Sequence, residues 1–313
     1  MRQIILLALS LLVAITTWGI AIEPVNSYVV VEHYTGKILA QKNGEQQLPV
    51  ASLTKVATGC VVLDWAKATK TNLGQFMAVP PHAPAVGGAN PLNLQNGDQM
   101  SLRDGLYASL MSSDNVAAES LAYHVGIDLL RRRGKRGDPM AEFIRELNAL
   151  AGKLRMTKTK FVNAHGLDHN VRKQPYSTSK DMARLARYAM DKGDFRFYVS
   201  QKSRKVKVSR LGKGRVFGLK NTNKLVGQSR IDGVKTGQTT YSGPCLIVSA
   251  TKQNQVTKQA DGSSRVQKRR VTVVVLAAQD RFRTGKQLLD WGWREYDGWN
   301  RAGRPMNDRN GAL

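Results

Sequence analysis

Ala51-Ser52-Leu53-Thr54-Lys55-Val56-Ala57-Thr58-Gly59-Cys60-Val61 carries apolar side chains at positions 53, 56, 57, 60 and 61. Those positions lie on one face of a 3.6-residue helix, so the spacing predicts an amphipathic helix opened by Ser52. Upstream, Ser27–Glu32 and Ile38–Gln41 flank Tyr34-Thr35-Gly36-Lys37, the pattern of a strand, a turn and a second strand. Downstream, 70–100 is rich in Pro, Gly and Asn and reads as loops. Ser101 with Asp104 starts a helix through Leu110, and a turn at Ser112–Asn115 leads into another over Val116–Val125. Met140–Leu150 and Lys180–Met190 have helical patterns. Beyond residue 200 strands dominate, at Val206–Val208, Asp232–Lys235, Cys245–Ala250 and Val271–Ala278, before a Trp-rich helix over Thr284–Tyr296. Strands at both ends with helices between them predict an α/β (α+β) fold. Its antiparallel sheet joins the N- and C-terminal segments.

The 313 residues are 42% hydrophobic and 23% charged, which excludes a disordered chain. Met1-Arg2-Gln3 followed by the apolar run Ile4–Ile15 and the small residues around Gly19-Ile20-Ala21 has the form of a secretory signal. An uncleaved anchor is the alternative. Both place the rest of the chain outside the cytoplasm. The expected organisation is a signal or anchor over 1–22, one domain over 23–299 and a short polar tail over 300–313. Cys60 and Cys245 are too few for a disulfide scaffold and read as small buried side chains.

The net charge is +25, concentrated in Arg131–Arg136 (five cations), 202–215 (seven) and 252–270 (six against Asp261). In an exported protein the polyanions at hand are cell-wall polymers and anionic lipid headgroups, so nucleic acid is not expected as a partner. The plainer reading is solvated surface. The five histidines form no ligand-spaced pair on a helix, which disfavours a metal enzyme, and no cofactor motif is present.

Three motifs carry chemistry: Ser52-Leu53-Thr54-Lys55, Ser113-Asp114-Asn115 and Lys235-Thr236-Gly237, in that order and separated by 113 − 52 = 61 and 235 − 113 = 122 residues. Ser-x-x-Lys alone is weak, since Ser177–Lys180 and Ser249–Lys252 repeat it, but only Ser52 opens a helix ahead of the other two motifs. A serine hydroxyl needs a base to become a nucleophile. Three residues along a helix share a face, so Lys55 can present its amine to Ser52 if burial or a neighbouring cation such as Lys235 keeps it neutral. The Ser52 N–H at a helix start and the N–H of Gln238 are expected to bind an oxyanion. Gly237 is expected to leave room for substrate along the strand. Ser113 is placed to relay a proton to the leaving amine, Asn115 to hold an amide, and Lys235 and Thr236 to bind a carboxylate. Singly, each residue has a structural explanation, such as a helix cap or an edge-strand charge.

Ordered together, the motifs are those of penicillin-binding proteins and class A β-lactamases. The chain resembles the low-molecular-mass penicillin-binding proteins of the D-alanyl-D-alanine carboxypeptidase family from about Tyr28 to Tyr296. The resemblance rests on Thr35-Gly36-Lys37, Ala51–Lys55, Ser101–Leu106, Asn163–Asp168, Tyr176-Ser177-Thr178 and Asp232–Gly237. It implies the penicillin-binding/β-lactamase-like fold with an all-helical subdomain beside the sheet, and acylation of Ser52. It also implies that Lys55 is the base, that Lys235 contacts substrate, and that His165 and Asp168 are structural. The implied partners are peptidoglycan D-Ala-D-Ala peptides, with β-lactams as covalent inhibitors. Many family members carry a further C-terminal β-domain and an anchoring helix, for which 300–313 is too short and too polar. A β-lactamase would need Glu-x-x-Leu-Asn, but the residue three before Leu147 is Ile144. A DD-endopeptidase, suggested by Met111-Ser112-Ser113 and Asn221-Thr222-Asn223, and a non-catalytic wall-binding module are the remaining alternatives.

Overall fold

The structure, a computed structural model, describes residues 22–169, 171–306 and 311–313. The expected signal segment, apart from Ile22, lies outside the described residues. Among the described residues, no helix is long and apolar enough to cross a membrane. Five antiparallel strands form the main sheet: β1 (Val25–Glu32), β2 (Ile38–Lys42), β7 (Ile231–Gly237), β8 (Cys245–Lys258) and β9 (Ser264–Ala278), in the order β2-β1-β9-β8-β7. The first and last parts of the chain thus share one sheet, as the sequence pattern implies. The polar tail adds to its edge: the Ile38 N–H donates to the Gly311 carbonyl at 2.7 Å, and the Leu313 N–H to that of Gly36 at 3.0 Å.

β9 accounts for the valine run. Val271, Val273 and Val275 pack with Leu288, Leu289, Trp293 and Tyr296 of α7 (Arg281–Arg301), while Val274 and Leu276 join the core on the other face. A strand covered on both sides has no polar face, so its sequence reads as a continuous apolar run rather than an alternation. The other face carries α1 (Thr54–Thr69), α2 (Leu102–Met111), α3 (Asn115–Arg132), α4 (Pro139–Lys153), α5 (Ser179–Asp191) and α6 (Gly193–Val199). Ser101 caps α2 through its Oγ, as its spacing to Asp104 suggests.

Two expectations change here. The helical part is not helices alone: β3 (Phe76–Ala78), β4 (Gln99–Ser101), β5 (Ser203–Arg210) and β6 (Lys213–Lys220) form a second antiparallel sheet beside it. The helix after Ser52 is not amphipathic either. From Thr54 to Leu63 every residue of α1 is buried, because α2, α3, α4, α5 and α6 all contact it. Cys60 sits within that helix and Cys245 at the start of β8, both buried and unpaired.

The basic stretches also acquire definite places. Arg131 and Arg132 pair with Asp128, and Arg133 with Glu142 and Glu146, so these three cations tie the end of α3 to itself and to α4. Stretch 202–215 is the β5–β6 hairpin. Stretch 252–270 is the outer half of β8 and β9, a two-stranded ribbon that continues beyond the last pairing of β9 with β1, Glu32 opposite Val271.

Candidate active site

Ser52 lies in a 3₁₀ turn, Ala51–Leu53, that runs straight into α1. Ala51 is held at φ +48°, a conformation that costs an alanine free energy and persists only where the surroundings enforce it. Two glycines show what those surroundings are. A methyl group on Gly166 would lie 1.9 Å from the Ala51 carbonyl oxygen, and one on Gly237 2.9 Å from that of Val50. The serine turn is therefore gripped between the 163–168 loop and the end of β7, each approaching to backbone contact. The role expected for Gly237, room for substrate, is thus accompanied by a packing role that sequence does not show.

Lys55 has no exposed surface. Its Nζ lies 2.9 Å from Ser52 Oγ, 2.6 Å from Asn115 Oδ1 and 2.9 Å from the His165 carbonyl oxygen. Asn115 is oriented by its Nδ2, which donates to the Gly87 carbonyl at 2.9 Å. The two carbonyl-type oxygens only accept, so they take two N–H groups of the amine. The third direction meets a hydroxyl, which both donates and accepts. In the neutral state the arrangement leaves the nitrogen lone pair for the proton of Ser52. Burial, opposed by the negative charge of Asp114, pushes the Lys55 amine down to about 7.

The second motif breaks α2 from α3. Ser113 takes φ +64° and is nearly buried, and Asp114 caps α3 by accepting the Ala117 N–H at 2.9 Å. Burial pushes the Asp114 carboxyl up to about 6 despite that bond and one from the Leu92 N–H. Of this motif only Asn115 bonds directly to the first.

The third motif occupies the inner end of edge strand β7. Lys235 is buried and donates to the Thr236 carbonyl at 2.9 Å, and Thr236 Oγ1 donates to Thr222 Oγ1 at 2.7 Å. Thr222 in turn donates through N and Oγ1 to the Met111 carbonyl at 2.9 and 3.1 Å, linking β7 to the segment before Ser113. Of the two causes the sequence offers for a neutral Lys55, burial or a neighbouring cation such as Lys235, burial is the one that lowers it. Burial is the first cause at both amines, and Lys55 followed by Arg281 lowers Lys235 well below its usual range. Gln238, exposed and directly after β7, accepts from Arg281 Nη1 at 3.2 Å, and the same nitrogen donates to the Gly237 carbonyl at 2.8 Å. Arg281 and Thr222 are site neighbours that motif reading missed, although Asn221-Thr222-Asn223 was itself conspicuous.

The remaining candidates separate cleanly. Ser177 is buried beside Thr159 Oγ1, and Ser249 is buried against Thr272 and Arg270, so neither can meet a substrate. Asp168 accepts from Thr239 Oγ1 in the turn after Gln238, which fits a structural role. The His165 imidazole is pushed down to about 3 by burial, then by Lys55 and His169, so it is neutral. A cavity of about 380 Å³, lined by Val86, Gly87, Asn163, His165, Leu167 and His169 among others, opens beside the Gly87–Asn115 link.

A family model described as D-alanyl-D-alanine carboxypeptidase (peptidase S11) matches residues 21–259. The chain belongs to that family. Among curated members, D-alanyl-D-alanine carboxypeptidase DacC of Escherichia coli (strain K12) is 30% identical over 280 residues, covering 87% of this chain and 62% of DacC. D-alanyl-D-alanine endopeptidase of Pseudomonas aeruginosa is 31% identical over 228 residues, covering 72% of this chain and 66% of that protein. The crystal structure of penicillin-binding protein D2 from Listeria monocytogenes in its ampicillin-bound form matches with a TM-score of 0.68 and 27% identity, covering 86% of this chain and 97% of that one. This S11 chain therefore has the penicillin-binding-protein fold, and it spans 62% of the length of DacC.

Proposed function

We propose that residues 23–299 form a serine DD-peptidase that cuts D-alanyl bonds in peptidoglycan stem peptides through an acyl-Ser52 intermediate, and that penicillins acylate the same serine. The observation that carries this reading is the Lys55 amine, buried, 2.9 Å from Ser52 Oγ, with its other two directions taken by acceptor oxygens. Lys55 removes the Ser52 proton as the hydroxyl attacks the D-alanyl carbonyl. The N–H groups of Ser52 and Gln238 receive the oxyanion, and Ser113 relays the proton taken up by Lys55 to the leaving amine, which restores the neutral lysine. Water then releases the acyl group, with Lys55 again the base. Asn115 holds the donor amide, while Lys235, Thr236 and the neighbouring Arg281 receive the terminal carboxylate. Gly237 lets the strand lie against both the serine turn and the substrate.

We take a D-Ala-D-Ala carboxypeptidase as the primary activity and cross-link endopeptidase as the second reading, which the Pseudomonas aeruginosa relative favours. Both act outside the cytoplasm, which agrees with reading 1–22 as an export signal or anchor. The cationic β5–β6 hairpin and β8–β9 ribbon suit contact with anionic wall polymers or the membrane surface, a contact that added salt should weaken. The test is fluorescent-penicillin labelling of the wild type and of Ser52→Ala, followed by product analysis on purified muropeptides. Labelling that survives in Ser52→Ala and vanishes in Ser177→Ala or Ser249→Ala refutes the assignment. Release of D-alanine from monomeric muropeptides identifies a carboxypeptidase, and conversion of dimers to monomers an endopeptidase.

A further inference from the structure

Glu119 is a buried acid for which the proposed reaction has no use. It sits on α3, four residues after Asn115, with 7% of its surface exposed. Burial, and next the charge of Asp138, pushes its carboxyl up to about 7. Its two oxygens face two imidazoles from different loops. Oε1 is 3.4 Å from His82 Nε2, and Oε2, which has no hydrogen-bond partner, is 3.7 Å from His165 Nε2. A buried carboxylate left with an open oxygen calls for a reason.

The tautomer of His165 supplies one. The Leu167 N–H donates to His165 Nδ1 at 3.2 Å, so Nδ1 is the acceptor and the single proton of the neutral ring sits on Nε2, facing Glu119. His165 also provides the carbonyl that receives Lys55. His82 is the N-cap of the 3₁₀ turn Ala83–Val86, and the next residue, Gly87, gives the carbonyl that orients Asn115 and so aims Asn115 Oδ1 at Lys55. Each histidine thus belongs to a loop that fixes one of the two acceptor oxygens on the Lys55 amine. Glu119 faces both histidines.

We infer that Glu119 is the positioning residue for the Lys55 base, one carboxylate clamping the 163–168 loop through His165 and the 82–87 loop through His82. It touches neither substrate nor Ser52. Its effect passes through the direction of the Lys55 lone pair. The inference rests on the reading of Lys55 as the base of the acylation step.

The experiment measures acylation by fluorescent penicillin in single turnover, separating pre-covalent affinity from the chemical step, together with thermal melting. Glu119→Leu removes the acceptor while keeping the volume. It should slow the chemical step by about 100-fold, the loss expected for a reacting group misplaced by about 1 Å, with pre-covalent affinity unchanged. Glu119→Gln keeps a side-chain oxygen able to face the His165 N–H and should recover most of that loss. A merely structural role would lower the melting temperature of both variants and leave the chemical step of the folded fraction at the wild-type rate. Should Glu119→Leu fail to fold, His82→Ala serves, because that side chain is 43% exposed and its removal releases only one loop. It should slow the chemical step about tenfold, and an unchanged rate overturns the inference. A wild type that penicillin does not label refutes the peptidase reading itself. A labelled wild type with Glu119→Leu equally fast refutes only the clamp.

Discussion

Gly237→Ala separates two roles for one atom's worth of space. An alanine methyl there would lie 2.9 Å from the Val50 carbonyl oxygen, 3.2 Å from Ala51 Cβ and 3.2 Å from the Leu53 nitrogen. Ordinary contact begins at 3.4 Å, so the strand and the serine turn must separate by about 3.4 − 2.9 = 0.5 Å. All three atoms belong to the backbone or Cβ atoms of the turn that carries Ser52, and no flexible side chain absorbs the shift. Overpacking of this kind costs about 1–3 kcal/mol. If a misplacement of about 1 Å costs about 100-fold in rate, half of it costs about tenfold. The assay is single-turnover acylation by a fluorescent penicillin with thermal melting alongside. A tenfold slower chemical step with unchanged pre-covalent affinity identifies the glycine as the seat of the serine turn. Weakened affinity with an unchanged chemical step would show instead that the glycine serves only to admit substrate, and a wild-type rate and melting temperature would refute the packing argument altogether.

The other predictions concern charge. Lys55→Arg keeps the cation but cannot deprotonate, so it should acylate as slowly as Lys55→Ala, by orders of magnitude, in the same labelling assay. On the proposed mechanism Lys55 acts when neutral, and with its amine pushed down to about 7, acylation should rise about tenfold per pH unit below pH 7 and level off above it, measured from pH 5 to 9. Stability follows the same sign: between about 7 and the ordinary lysine range the unfolded chain binds the extra proton, so Lys55 makes folding more favourable as pH rises through that window, visible as a rising urea midpoint. Arg133→Ser leaves buried Glu142 with only Arg145 and should cost about 1–3 kcal/mol in urea unfolding, while turnover of a small D-Ala-D-Ala peptide stays unchanged.

What the sequence revealed and what it hid follow from the range of the interactions. The order of Ser52, Lys55, Ser113 and Lys235 was legible because each motif is local, and the valine run of β9 was legible because both of its faces are buried. The burial of α1 was not, since Thr58 meets the 163–168 loop and Gly59 meets α2 and α6 only after the chain has closed around them. Lys213–Lys220 escaped notice as a strand because β6 puts Gly214, Val216 and Gly218 on an exposed face, where no apolar alternation marks it. Arg281, 44 residues from the carbonyl it holds, and Glu119, facing histidines from two other loops, have no sequence signature at all. The cations of Arg131–Arg133 looked like a free patch because Glu142 and Glu146 lie on the next helix, although the spacing of Asp128 three and four residues before Arg131 and Arg132 was a readable signal.

The two buried lysines pose the remaining question of where the positive charge resides. Lys55 has three acceptors and the nearby Asp114, whereas Lys235 has one bonded acceptor and Arg281 close by. In the free protein burial disfavours a proton on both amines, and the charge of Lys55 disfavours one on Lys235 further. A substrate carboxylate beside Lys235 and Arg281 changes that balance. An anion at hydrogen-bond range favours the charged amine, and a charge gained at Lys235 further disfavours one at Lys55. The two amines would then titrate as a coupled pair whose proton moves toward the strand when substrate arrives and leaves the base free when it is needed. A carboxylate-bearing ligand, penicillin included, does this on binding, while a peptide amide cannot. The rise of acylation with pH should accordingly sit at higher pH for an amidated substrate than for the free acid, and coincident profiles would mean that Lys55 owes its neutrality to burial alone.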